Sequence, residues 1–169
     1  MKINLKLIRK IPTNNTLKIW ISWLNNEKVS NFSARSSKKH SINSQKRFLQ
    51  KKIFEEKSYL FKIIFKNEFV GLIELANIDF LFKNCEIRYF IGETRIWNKG
   101  IATKAIRLAT IYCFKKLKMK LVMAGTHQDN ISSQKVLRKN NFKLQGRIKK
   151  FFNNKKLSKD KLIFAKFKS

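Results

Sequence analysis

The sequence predicts one domain of the α/β (α+β) class, with seven strands and four helices. Its 169 residues suffice for a single domain with a core of its own. A hydrophobic content of 43% with 15 phenylalanines is typical of a globular chain. Strand-like and helix-like periodicities follow one another in the order β-α-α-β-β-β-α-β-α-β-β, without a linker or repeat. We therefore treat residues 1–169 as one domain.

The first three elements are read from alternation, apolar stripes and capping residues. Alternating apolar side chains over residues 3–8 predict a strand, and an apolar stripe over residues 17–24 predicts an amphipathic helix. Residues 25–39 are polar and irregular, and Ser41 or Asn43 can cap the second helix. The N-terminal quarter is therefore expected to hold one strand and two helices.

The middle of the chain predicts a hairpin, a third strand and a long helix. Residues 58–65 and 68–77 alternate on either side of the turn residues Lys66 and Asn67. Residues 85–91 are rich in aromatic and β-branched side chains, and residues 102–118 have apolar positions at helical spacing. A short loop must join this strand to this helix.

The last third predicts strand, helix, strand and strand. Residues 120–125 form a short apolar segment, and Asp129 or Asn130 can cap the following helix, which ends at Asn140 and Asn141. The final strands are expected at residues 142–149 and 156–167.

The formal charge of +29 has two interpretations. It fits a polyanionic partner, but lysines outnumber arginines 31 to 8 and are scattered, which codon bias also explains. We favour bias and do not expect a nucleic-acid partner. Isolated cysteines, no signal-peptide pattern and no apolar run near 18 residues predict a cytoplasmic protein without a membrane span.

The loop before the long helix is the strongest candidate for a ligand site. Gly100, Ala102 and Thr103 lie where that helix begins. A helix start offers free backbone N–H groups and the positive end of the helix dipole, and small residues let an anion approach. We expect this loop to hold a diphosphate. His, Cys and carboxylate residues show no metal-ligand spacing, so no metal is expected.

Two motifs and the element order resemble the GNAT N-acetyltransferase superfamily. Residues 97–105 resemble its acyl-CoA loop, Arg/Gln-x-x-Gly-x-Gly/Ala, and the Trp97 variant is typical of ribosomal-protein N-terminal and amino-sugar acetyltransferases. Residues 129–142 resemble the second motif, Asn-x-x-Ser-x-x-x-Leu-x-x-x-Gly-Phe. The resemblance implies a mostly antiparallel mixed sheet that splays between its fourth and fifth strands, and acetyl-CoA as co-substrate.

The resemblance also implies which residues meet the cofactor. They are backbone groups of the fourth strand, the loop and start of the long helix, and two polar residues of the second motif. The set is Tyr89, Phe90, Ile91, Trp97, Asn98, Lys99, Gly100, Ile101, Ala102, Thr103, Asn130 and Ser133.

Two residues are candidates for the chemistry. The resemblance makes Glu86 a general base, although a salt bridge with Arg88 or a lysine explains it equally well. Other branches have an acidic tyrosine where Leu137 stands, so we expect no phenol in this role and assign the thiolate's proton donor to Ser133.

The acceptor is expected to be a small primary amine. Residues 23–29 and 35–41 resemble the family's acceptor wall, which makes Trp23, Arg35, His40 and Arg88 candidate contacts. The basic segment favours an amino-sugar nucleotide, with the N-terminus of a ribosomal or other protein as the alternative. A nucleic-acid-binding module and a non-catalytic CoA-binding module compete with both. The oligomeric state is left open between monomer and homodimer.

Overall fold

The computed structural model of the chain describes residues 2–32, 39–55, 57–154 and 157–168. The strands are β1 Ile3–Leu7, β2 Tyr59–Phe65, β3 Glu68–Asp79, β4 Asn84–Ile91, β5 Leu121–His127, β6 Lys143–Asn154 and β7 Leu157–Phe167. The helices are α1 Asn14–Leu24, α2 Glu27–Ser30, α3 Ile42–Ile53, α4 Ile101–Lys115 and α5 Ile131–Lys139, with a 3-10 turn at Thr94–Ile96.

The seven strands form one sheet in the order β1-β2-β3-β4-β5-β7-β6. Every neighbouring pair is antiparallel except β4 and β5, which run parallel. That pair is joined only over Asn84–Glu86 against Leu121–Met123, so the two strands separate toward their C-terminal ends. The mixed, splayed sheet predicted from the sequence is confirmed.

Two apolar clusters cover the two faces of this sheet. One lies under α4 and α5 and includes Cys85, Ile87 and Ile106, all buried. The other lies under α1 and α3 and includes Leu17 and Leu49, with Phe90 packed against it. Alternation along β4 therefore sends its side chains to opposite layers, which places both layers around the end of this strand.

Several element boundaries differ from the sequence prediction. A four-residue helix, α2, lies within the segment expected to be irregular, where the Asn26 side chain caps it by accepting from Lys28 N. Helix α4 ends at Lys115 rather than residue 118, and Lys118 has a left-handed backbone with φ 58°. Strands β3 and β6 continue beyond their predicted ends. None of the helices described is long and apolar enough to span a bilayer.

Candidate active site

A cavity of about 840 Å³ occupies the gap where β4 and β5 separate. Its walls come from β4, the start of α4, the first turn of α5, the end of β5 and the N-terminal helices. The lining includes Tyr89, Phe90, Ile91, Trp97, Asn98, Gly100, Ile101, Ala102, Thr103, Asn130 and Ser133. Of the twelve residues predicted to meet a cofactor, these eleven line one space, and Lys99 lies exposed in the adjoining loop.

Helix α4 begins with an N-cap residue that has no side chain. Gly100 adopts the left-handed conformation, φ 75°, and caps no N–H group of the first turn. The first α-helical hydrogen bond from this end is donated by Lys104 N to Gly100 O, at 3.1 Å. The N–H groups of residues 101–103 precede that bond, so the positive end of α4 faces the cavity with donors to offer.

Trp97 connects the loop to β4 through its indole. The Nε1 atom donates to the carbonyl oxygen of Ile91, at 2.9 Å, and the ring remains 39% exposed. The residue therefore holds the loop against the strand end. This is a positional role that its apolar character in the sequence did not indicate.

The backbone of β4 offers groups to the gap at alternate residues. Gly92 N donates to Val70 O on β3, and the register continues with Phe90 opposite Leu72. Antiparallel alternation therefore directs the backbone groups of Phe90 to β3 and those of Tyr89 and Ile91 to the gap. The expectation that the Phe90 backbone is free was wrong, and this residue contributes its ring to the cavity wall instead.

A pair of hydroxyl groups joins β4 to α5 across the gap. Tyr89 Oη lies 3.0 Å from Ser133 Oγ. Burial raises the pKa of Tyr89 to about 12, against a smaller lowering by the hydrogen bond with Ser133, so the phenol keeps its proton at neutral pH. Leu137 is fully buried, as its apolar character implies. No phenol was predicted in this role, but the structure brings the Tyr89 hydroxyl to Ser133 from a strand 44 residues away in the chain.

The start of α5 fixes Ser133. The Asn130 side chain accepts from Ser133 N at 3.0 Å and so caps the helix. Asn130 and Ser133 both line the cavity, as their shared helical face predicted. In α5, unlike in α4, an N-cap side chain therefore occupies an N–H group of the first turn.

Glu86 lies in an ion cluster on the opposite face of β4. Its Oε2 accepts from Asn77 Nδ2 at 3.1 Å and from Arg88 Nη2 at 2.6 Å. Its Oε1 lies 3.9 Å from Lys161 Nζ. The predicted salt bridge therefore exists, and the same carboxylate also lines the cavity.

Of the residues predicted to contact the acceptor, His40 and Arg88 line the cavity. Arg35 lies outside the described residues. The His40 backbone is held on both sides by the Asn25 side chain. Trp23 is buried against Phe69, with ring centroids 4.8 Å apart, and is not among the residues that line the cavity.

Sequence reasoning missed further polar residues of the cavity, among them Glu74, His127 and Lys161. Glu74 is buried and accepts from Ser58 Oγ while pairing with Lys52 Nζ at 2.9 Å. His127 is buried, and Lys161 passes over Gly125, where an added Cβ would lie 2.2 Å from Lys161 Cε. In the described part of the chain, no three His, Cys, Asp or Glu residues converge as a metal site would need.

The family of the chain follows from comparison with known proteins. Residues 7–143 match the model of the acetyltransferase (GNAT) domain. The chain belongs to this family. That membership confirms the resemblance drawn from the two motifs, and the sheet that splays at β4 and β5 agrees with it.

Individual relatives are more distant. The probable N-acetyltransferase YjcK of Bacillus subtilis (strain 168) is 30% identical over 104 residues, which are 60% of this chain and 57% of that protein. The aligned part of the chain thus spans little more than half of that relative.

Solved structures of low sequence identity have the same fold. Spermidine N-acetyltransferase from Vibrio cholerae, in complex with CoA and spermine, superposes with a TM-score of 0.86 at 17% identity, covering 98% of this chain and 95% of that one. The microcin C7 self immunity acetyltransferase MccE, in complex with acetyl-CoA and AMP, gives 0.81 at 22% identity, covering 98% and 92%.

Proposed function

We propose that this chain is an acetyl-CoA-dependent N-acetyltransferase that transfers the acetyl group directly to a primary amine in a ternary complex. The observation that carries the proposal is one cavity bounded by the uncapped start of α4 on one side and the Tyr89–Ser133 hydroxyl pair on another. The first suits an anionic cofactor, and the second suits a leaving thiolate.

The diphosphate of acetyl-CoA is assigned to the loop and first turn of α4. N–H groups of residues 101–103 face the cavity at the positive end of a fifteen-residue helix. Gly100 and Ala102 keep side chains out of the approach, and Lys99 and Thr103 add polar groups beside it. The gap-facing backbone groups of Tyr89 and the N–H group of Ile91 are assigned to the pantetheine arm, since the Ile91 carbonyl oxygen already accepts from Trp97.

The hydroxyl pair is assigned to the leaving group. The amine attacks the thioester carbonyl, the C–S bond breaks, and the sulfur takes a proton from Ser133 or Tyr89. The pair then regains a proton from solvent, and the proton lost by the amine leaves through a base. Because Tyr89 stays neutral well above pH 7, the pair enters the step as a proton donor rather than as an anion.

Glu86 is proposed as the group that receives the amine proton, through water. Its Oε2 is occupied by Asn77 and Arg88, whereas Oε1 has only Lys161 nearby, at 3.9 Å, among the ion pairs of the described chain. A water molecule bound to Oε1 would lie within the cavity that Glu86 lines. Arg88 then fixes the orientation of the carboxylate.

The acceptor is proposed to carry negative charge. Both carboxylates that line the cavity already have cationic partners, Glu74 with Lys52 and Glu86 with Arg88. Other lysines of the lining add positive charge, among them Lys28, Lys135, Lys139 and Lys161. A polyamine would meet repulsion here, whereas a phosphate-bearing amine would be attracted.

An aromatic surface beside these lysines fits the base of a nucleotide. The His127 ring lies between Phe32, at 5.3 Å, and Phe152, at 4.9 Å between centroids, and Lys161 Nζ lies 4.7 Å from the Phe151 ring centroid. Such flat rings stack with bases. The acceptor class that combines amine, phosphate and base is an amino-sugar nucleotide, and the AMP bound by the related MccE structure supports this choice.

The test is an acceptor panel with two lysine variants. We expect an amino sugar linked to a nucleoside diphosphate to have a higher kcat/KM than the free amino sugar, spermidine or an N-terminal peptide. Lys161→Gln should lower kcat/KM for the nucleotide-linked acceptor about tenfold or more and leave the free amino sugar nearly unchanged. Lys159→Gln, whose ammonium pairs with Asp129 instead, is the matched control.

The outcomes separate the parts of the proposal. Preferential acetylation of spermidine or of the peptide would overturn the acceptor class and leave acetyl transfer standing. Saturable acetyl-CoA binding with no amine acetylated would support a non-catalytic CoA-binding module instead.

A further inference from the structure

The end of the sheet opposite the cofactor loop carries an exposed apolar turn. Between β3 and β4 the chain turns through Phe80, Leu81 and Phe82, whose side chains are 53%, 81% and 73% exposed. Phe167, at the end of β7, is 63% exposed. Three consecutive large apolar residues at one projecting turn are not explained by the core or by the active site.

Lysines surround this turn. Lys83 follows it directly, and Lys118, Lys120 and Lys168 line a shallow depression together with Lys83 and Phe167. Backbone hydrogen bonds connect the parts, from Lys120 N to Lys83 O at 2.7 Å and from Lys168 N to Lys120 O at 2.9 Å. We call the four apolar and four basic residues the basal patch.

The nearby carboxylate of Asp79 can offset only one of the four positive charges in the basal patch. Asp79 Oδ1 accepts from Phe82 N at 2.8 Å, so it holds the turn from within. The strand register places Asp79, Asn84, Leu121 and Phe167 on one line across the sheet. The basal patch is therefore one continuous surface.

We propose that the basal patch binds the surface of a membrane containing anionic lipids. A projecting turn of Phe, Leu and Phe can enter the boundary between headgroups and acyl chains, while surrounding lysines meet anionic headgroups. A nucleic acid would favour aromatic side chains within a basic groove, and the most exposed residue here, Leu81, is aliphatic. The patch lies at the start of β4, and the cofactor loop follows its end, roughly 23 Å away along the strand.

The test must separate this patch from the overall charge of +29, which attracts any anionic surface. The full chain is sedimented with vesicles of phosphatidylcholine and phosphatidylglycerol, and with pure phosphatidylcholine vesicles, at about 150 mM salt. Phe82→Asp is compared with Phe54→Asp, a matched change at a residue outside the patch that is 85% exposed, at the C-cap of α3. Leu81→Asp is the second variant of the patch.

We expect wild type to bind the mixed vesicles, and both patch variants to bind about tenfold or more weakly, with Phe54→Asp close to wild type. Melting temperature and acetyl-CoA affinity should be the same in all three variants, since the turn lies outside the core and the cavity. Equal loss in Phe82→Asp and Phe54→Asp would overturn the proposal in favour of bulk charge. If the patch variants instead lose binding to single-stranded RNA and keep vesicle binding, the partner of the patch is a nucleic acid and not a lipid surface.

Discussion

Helices α4 and α5 both begin at the same cavity, but their N-termini differ in how they are capped. Helix α4 begins at Gly100, which has no side chain to cap the first turn. Helix α5 begins at Asn130, whose side chain accepts from Ser133 N. One helix start keeps its N–H donors available, whereas the other uses its cap to position a hydroxyl.

The difference shows how one structural device can serve two purposes. A helix start with a glycine N-cap forgoes roughly a few tenths of a kcal/mol of capping stability but retains donors and dipole for an anion. A capped start holds its first turn rigidly, so that Ser133 meets Tyr89 at a fixed distance. Three sets of variants alter this comparison, from the largest expected effect to the smallest.

Placing a charged side chain at the uncapped start of α4 should have the largest effect. Gly100→Glu places a carboxylate where the diphosphate is proposed to lie, and like-charge repulsion should weaken acetyl-CoA binding about 100-fold or more in calorimetric titration. Gly146→Glu is the matched control, because nothing lies within 4 Å of an added Cβ there.

A further variant at the same position separates charge from backbone strain. Gly100 has φ 75°, so a longer side chain costs about 1–2 kcal/mol of strain. Gly100→Asn tolerates this conformation and should retain more affinity than Gly100→Glu. Equal acetyl-CoA affinity in Gly100→Glu and wild type would contradict the assignment of the diphosphate site.

Removing the Tyr89 hydroxyl, which meets Ser133 at the capped start of α5, should have the second largest effect. Tyr89→Phe keeps the ring and removes the hydroxyl, so kcat should fall about 100-fold while the Kd for acetyl-CoA stays near wild type. Tyr112→Phe, a tyrosine of the α4 layer away from the cavity, should retain kcat. A raised Kd with unchanged kcat would assign Tyr89 to binding instead.

The same variant has a readout that does not depend on activity. Because burial raises the pKa of Tyr89 from 10.0 to about 12, its contribution to stability is fully present below pH 10 and is lost as pH rises toward 12. Between pH 10 and 12, the free energy of unfolding of the wild type should therefore fall by up to about 2–3 kcal/mol more than that of Tyr89→Phe, as measured by urea unfolding. Parallel losses in both proteins would mean that this phenol is not buried.

Removing the cap of α5 should have the smallest effect. Asn130→Ala should lower the free energy of unfolding by about 1 kcal/mol and reduce kcat severalfold, because Ser133 loses its anchor. Thr13 caps α1, since its side chain accepts from Thr16 N, and it does not line the cavity. Thr13→Ala should therefore lower stability without lowering kcat. If kcat is unchanged in both variants, the α5 cap does not contribute to the chemical step.

The strand, loop and helix around Gly100 were predictable because their signals are local. Alternation over β4, small residues at the turn and apolar spacing along α4 each depend on neighbours within a few residues. The Asn130 cap and Ser133 were found for the same reason. Periodicity also placed Glu86 on the face opposite Cys85 and Ile87, as the structure has it.

The rest of the site could not be read from the sequence, because it depends on contacts between distant segments. Tyr89 and Ser133 are 44 residues apart, and Lys161 reaches Glu86 from β7. The position of Trp23 has a related explanation. An apolar stripe shows that a helix face is covered, but not whether core or cavity covers it, and in α1 it is Trp20 and Leu24 that line the cavity.

The contact between Trp23 and Gly92 limits how this protein can be rebuilt. A Cβ at Gly92 would lie 1.9 Å from the Trp23 ring, so the residue that leads from β4 into the cofactor loop is shaped to fit helix α1. Exchanging the N-terminal helices with those of a relative, to transplant a different acceptor preference, would therefore disturb the cofactor side as well. These two residues must be transferred together, because a side chain at position 92 does not fit against the Trp23 indole.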